Sequence, residues 1–119
     1  MTILIPGLRL PSAGNLREHW AARARRVNAQ RSVVCMEWRR QVPHGFTPTF
    51  PVAVTVTRVA PRLIDGHDNL PMSCKGIVDQ VAAQLGVDDG DAARVRWAYA
   101  QRRDRAYAVE IQITTEAGQ

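Results

Sequence analysis

Residues 63–91 read Leu63-Ile-Asp-Gly-His-Asp-Asn-Leu-Pro-Met-Ser-Cys-Lys-Gly-Ile-Val-Asp-Gln-Val-Ala-Ala-Gln-Leu-Gly-Val-Asp-Asp-Gly-Asp91. An acidic, His-containing loop opens the stretch, an amphipathic helix follows, and a second acidic loop closes it. The pattern predicts a helix from about Asn69 to Leu85, with Asp68 as N-cap, Pro71 in the first turn and Gly86 as the stop. Leu70, Cys74, Ile77, Val78, Val81 and Leu85 fall within roughly a third of the circumference, and Asp68, Met72, Lys75 and Asp79 form a stripe nearly opposite. The stretch holds six of the eleven acidic residues, Asp65, Asp68, Asp79, Asp88, Asp89 and Asp91, together with Lys75, the one lysine.

Before this stretch, residues 2–9 read as a first strand, with Pro6 and Gly7 marking an edge or a bulge. A turn-rich connection, residues 11–15, leads to a long helix over 16–42, in which Leu16, Trp20, Ala24, Val27, Val34, Trp38 and Val42 share one face. A three-proline loop, 43–51, precedes a β-branched strand at 52–59. Beyond the acidic stretch, Val95, Trp97 and Tyr99 alternate with Arg94, Arg96 and Ala98. Tyr107, Val109, Ile111 and Ile113 alternate with Ala108, Glu110 and Gln112. Residues 102–105 between these runs read as the turn of an antiparallel hairpin. The expected fold is one α/β (α+β) domain spanning 1–119: a mixed sheet in the order β-α-β-α-β-β, with two helices packed on it. The strands at 2–9 and 52–59, joined by a crossover helix, are candidates for a parallel pair.

At 119 residues the chain is long enough for one core. Its net charge is +5, and with Lys75 the one lysine among sixteen basic residues, fifteen are arginine. Arginine holds phosphate in a bidentate fork, and a basic balance favours a polyanionic partner. Arg17, His19, Arg23, Arg25, Arg26 and Arg31 on the first helix, and Arg94 and Arg96 further on, are the candidate nucleic-acid contacts. Cys35 and Cys74 have no metal-ligand spacing and read as reduced thiols, which points to the cytoplasm. Met1 to Pro6 lacks a basic leader, and no apolar run is long enough to span a membrane. Gly-rich phosphate loops, HExxH and calcium-loop patterns are absent.

Carboxylates concentrated on a basic chain suit a metal-dependent enzyme acting on nucleic acid. Oxygen ligands of this type favour Mg²⁺, with Mn²⁺ as an alternative. Asp65, Asp68, Asp88, Asp89 and Asp91 are candidate ligands, and His67 is a candidate ligand, general base or DNA contact. Lys75 is a candidate for contacting the scissile phosphate or orienting a water, and it forms an i,i+4 pair with Asp79. One geometric objection stands against a single site. A continuous helix of about 17 residues is roughly 25 Å long and would hold the two acidic loops apart. A shorter helix with a returning chain, or pairing across a dimer, removes it. The plainer reading of each feature is a helix cap at Asp68, a turn at 88–91 and a surface ion pair at Lys75–Asp79.

Asp68-Asn-Leu, then Lys75, Asp79 and Leu85-Gly-Val-Asp-Asp-Gly-Asp91, together with the basic His-Trp segment from Asn15 to Arg26, resemble the RusA-type Holliday-junction resolvases, endodeoxyribonucleases common in phages and prophages. The resemblance covers most of the chain and is most specific over 65–91. It implies a homodimeric, Mg²⁺-dependent endonuclease, bacterial or phage-encoded, that binds four-way DNA junctions and nicks opposed strands. It assigns the catalytic roles to Asp68, Lys75 and Asp89, with the two aspartates as metal ligands. Two departures stand out. The Lys lies about one turn later, because Pro71-Met-Ser extends the spacing, and the first Asp of the family's Asp-x-Asp falls at Gly66. Either Asp65 or His67 substitutes there, or the metal site is weakened. A junction-binding protein with weakened or lost chemistry is the alternative reading, and an RNA-binding or protein-interaction domain is a third.

Overall fold

The computed structural model describes residues 1–12 and 19–116. Seven elements follow in order: β1 (Thr2–Pro6), α1 (Trp20–Gln41), β2 (Val52–Ala60), α2 (Asn69–Ser73), α3 (Lys75–Leu85), β3 (Val95–Arg103) and β4 (Ala108–Thr115). The α+β class and the mixed sheet are as expected, within one domain. Residues 13–18, including Arg17 and the expected helix start at Leu16, lie outside the described residues. No helix among the described residues is long and apolar enough to cross a membrane.

The strand order is β1-β4-β2-β3, which corrects two sequence expectations. β1 and β2 run parallel in direction, but β4 lies between them, antiparallel to both. β3 and β4 are not a paired hairpin. β3 lies on the far side of β2 and pairs with it in parallel from Val52↔Val95 to Ala60↔Arg103. The short connection passes the end of β2, where the Asp104 N–H donates to the Ala60 carbonyl at 3.1 Å. Burial explains the choice. Val109, Ile111 and Ile113 of β4 are as buried as the core of β2, whereas β3 carries exposed Arg96 and Ala98 and suits an edge.

Alternation turns Ile3, Ile5, Val52, Val54, Val56, Val95, Val109, Ile111 and Ile113 to one face, where the helices cover them. Val34 and Trp38 of α1 and Ile77, Val78, Val81 and Leu85 of α3 complete the core. The N-terminal half of α1 departs from the predicted stripe. Trp20 is 76% exposed and Ala24 is exposed, so the helix is anchored from Gln30 onward. At its other end the Gln41 amide brackets the edge strand, accepting from Leu4 N–H at 3.1 Å and donating to Leu4 O at 2.8 Å. This satisfies backbone groups that an open edge would leave exposed.

The predicted second helix is broken at Cys74, whose backbone (φ −94°, ψ 3°) leaves the helical path. Ser73 Oγ donates back to Leu70 O at 2.8 Å, and the Cys74 N–H turns to Pro71 O at 3.1 Å. Such back-bonding competes with the helical ladder and bends helices. Three helices therefore pack where two were expected, and Lys75 becomes the first residue of α3.

Gly76 lets α3 press against α1. A Cβ there would lie 2.5 Å from Gln30 Oε1, 3.0 Å from Gln30 Cβ and 3.1 Å from the Val27 carbonyl. Gln30 is 3% exposed, and neither its amide nitrogen nor its oxygen has a partner among the described residues. A buried polar group left unpaired is destabilising. Gln30→Met, which keeps the shape and removes the polar atoms, is expected to raise stability by about 1 kcal/mol in urea unfolding. A loss of stability would show that the amide has a partner.

Candidate functional site

Lys75 joins α3 to the second acidic loop. Its Nζ lies 2.8 Å from Asp79 Oδ1, one turn along α3, and 3.3 Å from Asp89 Oδ2, fourteen residues away in the second loop. The return of that loop brings Asp89 to the first turn of α3, but not to Asp68. Gly86 ends α3 in the left-handed conformation (φ 75°), and the Val87 N–H caps Ala82 O at 3.0 Å. The chain then runs back beside the 11-residue helix. Trp97 of β3 fixes the turn, its Nε1–H donating to Asp89 O at 2.9 Å.

Asp88 and Asp91 shape this loop. Asp88 Oδ1 accepts from Gly90 N–H at 2.9 Å, while Asp91 accepts from Ala93 N–H at 3.2 Å and pairs with Arg94 at 3.0 Å. The first acidic loop is held at a different point of β3. The Gln101 amide brackets Ile64, accepting from its N–H at 2.9 Å and donating to its carbonyl at 2.8 Å. Asp65 Oδ1 accepts from His67 N–H at 3.0 Å. Asp68 occupies the N-cap position of α2, but its side chain makes no cap bond, and Asp65, His67 and Asp68 are all exposed.

Trp97, Tyr99 and Gln101 form one ridge on the inner face of β3. The Asp89 anchor at Trp97 and the 64–68 anchor at Gln101 are therefore about 13 Å apart along the strand. Tyr99 lies between them. Burial raises its pKa, and the charges of Lys75 and Asp89 act on it. The structure thus brings together Lys75, Asp79 and Asp89, and it sets Asp65, His67 and Asp68 along the same ridge without joining them to that cluster.

The charges of the cluster are mutually supported. The hydrogen bond to Asp79, then that to Asp89, holds the Lys75 pKa above the ordinary lysine value. The Lys75 hydrogen bond and charge hold Asp89 below the ordinary carboxylate value. The Lys75 contribution to stability is present below the ordinary lysine pKa and is lost as pH rises through the folded value. That of Asp89 is present above the ordinary aspartate pKa and is lost as pH falls through its folded value. Both are in force at neutral pH, where Lys75 is a cation and not a base. The cluster is largely exposed, so the effect on stability is small.

Among the described residues no three His, Cys, Asp or Glu side chains gather closely enough to cage a metal ion. Mg²⁺ needs no such cage, since one or two carboxylates, water and a substrate phosphate commonly hold it. The donors at Asp79 and Asp89 fit that pattern, with Lys75 as the cation between them.

Arginines border the cluster. Arg23, Arg26 and Val27 of α1 face Pro71, Met72 and Lys75 across a groove of about 370 Å³. Arg31 lines a cleft with Asp79, Asp88 and Asp89, and its Nε–H donates to Gln80 Oε1 at 3.2 Å. Arg25 is exposed on α1. His19 caps α1, its Nδ1 accepting from Ala21 N–H at 3.2 Å. Arg94 and Arg96 are tied into ion pairs with Asp91 and Glu116. Sequence reading missed Trp97, Tyr99 and Gln101 as the ridge that carries both loops. The available signal was a strand whose inward positions turn from valine to residues with polar tips. Compared with known proteins, the chain matches no family model and no curated relative.

Proposed function

We propose that the protein is a metal-dependent, structure-selective endodeoxyribonuclease that nicks branched DNA in the manner of the RusA-type resolvases. The observation that carries this reading is the Lys75 bridge to Asp79 and Asp89, with Arg23, Arg26 and Arg31 bordering it. Two N–H groups of the ammonium are spent on carboxylates, and the third is available to donate to a phosphate oxygen. The α1 arginines hold the DNA backbone, a sequence-independent grip that weakens with salt. Lys75, kept protonated, stabilises negative charge developing on the phosphate. Asp89 and Asp79 would hold Mg²⁺ or Mn²⁺, with Asp68 as the further ligand that the resemblance implies, from a loop the structure does not join to the cluster; the ion when bound polarises the phosphate and activates water. A homodimer would present two such sites to opposed strands of a four-way junction.

Asp68→Asn is expected to abolish nicking of a four-way junction while its gel shift persists. Equal nicking by wild type and variant would overturn the assignment. Gly66→Asp belongs in the same assay. A Cβ at position 66 meets only Gln101 Nε2 at 3.8 Å, an ordinary contact, so the backbone admits a side chain there, and nicking should rise. Gly66 also favours the second reading, a junction-binding protein without cleavage, whose signature is a gel shift with no nicks in either metal.

A further inference from the structure

Among the described residues Arg58 is the one buried arginine. It stands at the end of β2 on the helix-covered face and is only 6% exposed. Its Nε–H donates to Leu10 O at 2.7 Å and its Nη1–H to Arg62 O at 2.8 Å. These two bonds fasten the chain after β1 and the start of the acidic loop to β2. They use two of five donors and supply no negative charge. Among the described residues no carboxylate pairs with Arg58, and burial pulls its pKa down from the ordinary arginine value. Arginine stays protonated even so. A buried cation is normally compensated, and removing the compensating charge is costly.

The surroundings add positive charge. Arg58 lines a pocket of about 340 Å³ with Arg9, Ser12, Arg62, Ile64 and Tyr107, and among the described residues no acidic one lines it. Arg9 lies over the Tyr107 ring, 5.3 Å from its centre, and Arg62 is exposed at the rim. The pocket opens at the carboxyl end of β2, between the chain after β1 and the residue that precedes β4.

We infer that this pocket is a phosphate-binding site, in which Arg58, Arg9 and Arg62 hold a phosphate oxyanion of either a nucleic-acid backbone or a free small molecule. The fork of a guanidinium matches a phosphate edge, and a bound oxyanion supplies the counter-charge that Arg58 lacks. The site is separate from the Lys75 cluster and does not rest on cleavage there.

Two binding measurements test it on the full chain, with Arg62→Ala and Arg9→Ala as variants. Both side chains are exposed and outside the core, and Arg39→Ala in the last turn of α1 is the control for loss of surface charge. The first is calorimetric titration with inorganic phosphate. Binding to wild type and to Arg39→Ala, weakened about 10-fold or more by Arg62→Ala, is expected for one lost charge-assisted contact. The second is a salt titration of affinity for junction DNA. A salt slope lowered by about one in Arg62→Ala but not in Arg39→Ala identifies the backbone as the phosphate source. Phosphate binding with unchanged DNA affinity identifies a free ligand. If phosphate does not bind and DNA affinity is unchanged, or if Arg39→Ala matches Arg62→Ala in both assays, the inference is overturned.

Discussion

Lys75→Met is expected to lower the rate of junction nicking by about 10²–10³-fold, the usual cost of losing one donor aimed at transition-state charge. Junction affinity should change little, because on the proposed function the α1 arginines, and not Lys75, would supply most of the backbone grip. The substitution has a second readout. Lys75 lies between Asp79 and Asp89, at 2.8 and 3.3 Å, and its removal leaves two carboxylates facing one another without their cation. Divalent ions should then bind more tightly, and calorimetry with Mn²⁺ should show higher affinity in Lys75→Met than in wild type. Acid titration separates this from general damage. The lowered pKa of Asp89 depends first on Lys75, so it should return toward the ordinary aspartate value in the variant. Undiminished nicking by Lys75→Met would remove Lys75 from the chemistry.

The largest effect on stability is expected at Gly76. Gly76→Val would place a branched side chain where a single carbon already meets Gln30 at 2.5 and 3.0 Å and the Val27 carbonyl at 3.1 Å. Backbone cannot yield as a side-chain end can, so α1 and α3 must separate. Overpacking of this kind costs about 2–3 kcal/mol, read as a lower urea midpoint. Because α3 begins at Lys75, the same shift should displace the ammonium from Asp89, and nicking should fall together with stability. Unchanged stability would mean that the two helices have slack at their crossing.

Much of this arrangement was legible in the sequence because period and punctuation carried it. Alternation located β2, β3 and β4, and Gly86 marked the helix end that sends Asp88 to Asp91 back. Strand order was not legible. A short turn between two alternating runs reads as a hairpin, and only the shared burial of Val109, Ile111 and Ile113 with the core puts β4 at the centre. The break at Cys74 also lay below the pattern. The apolar residues on either side stay at helical spacing, while Ser73 and Pro71 redirect the backbone. With that break, the phase relation between Asp68 and Lys75 that holds for a continuous helix no longer applies. Arg58 was hidden for the opposite reason. An arginine late in a strand reads as an exposed end, and its burial follows from carbonyls at Leu10 and Arg62 that are distant or loop-borne.

On the proposed function, the Lys75, Asp79 and Asp89 cluster serves phosphodiester cleavage in branched DNA. Incubation of the wild-type chain with an end-labelled four-way junction, with and without Mg²⁺ or Mn²⁺, tests it most directly. The predicted result is paired nicks in opposed strands that require the divalent ion. A junction bound in a gel shift yet left intact in both metals would contradict it.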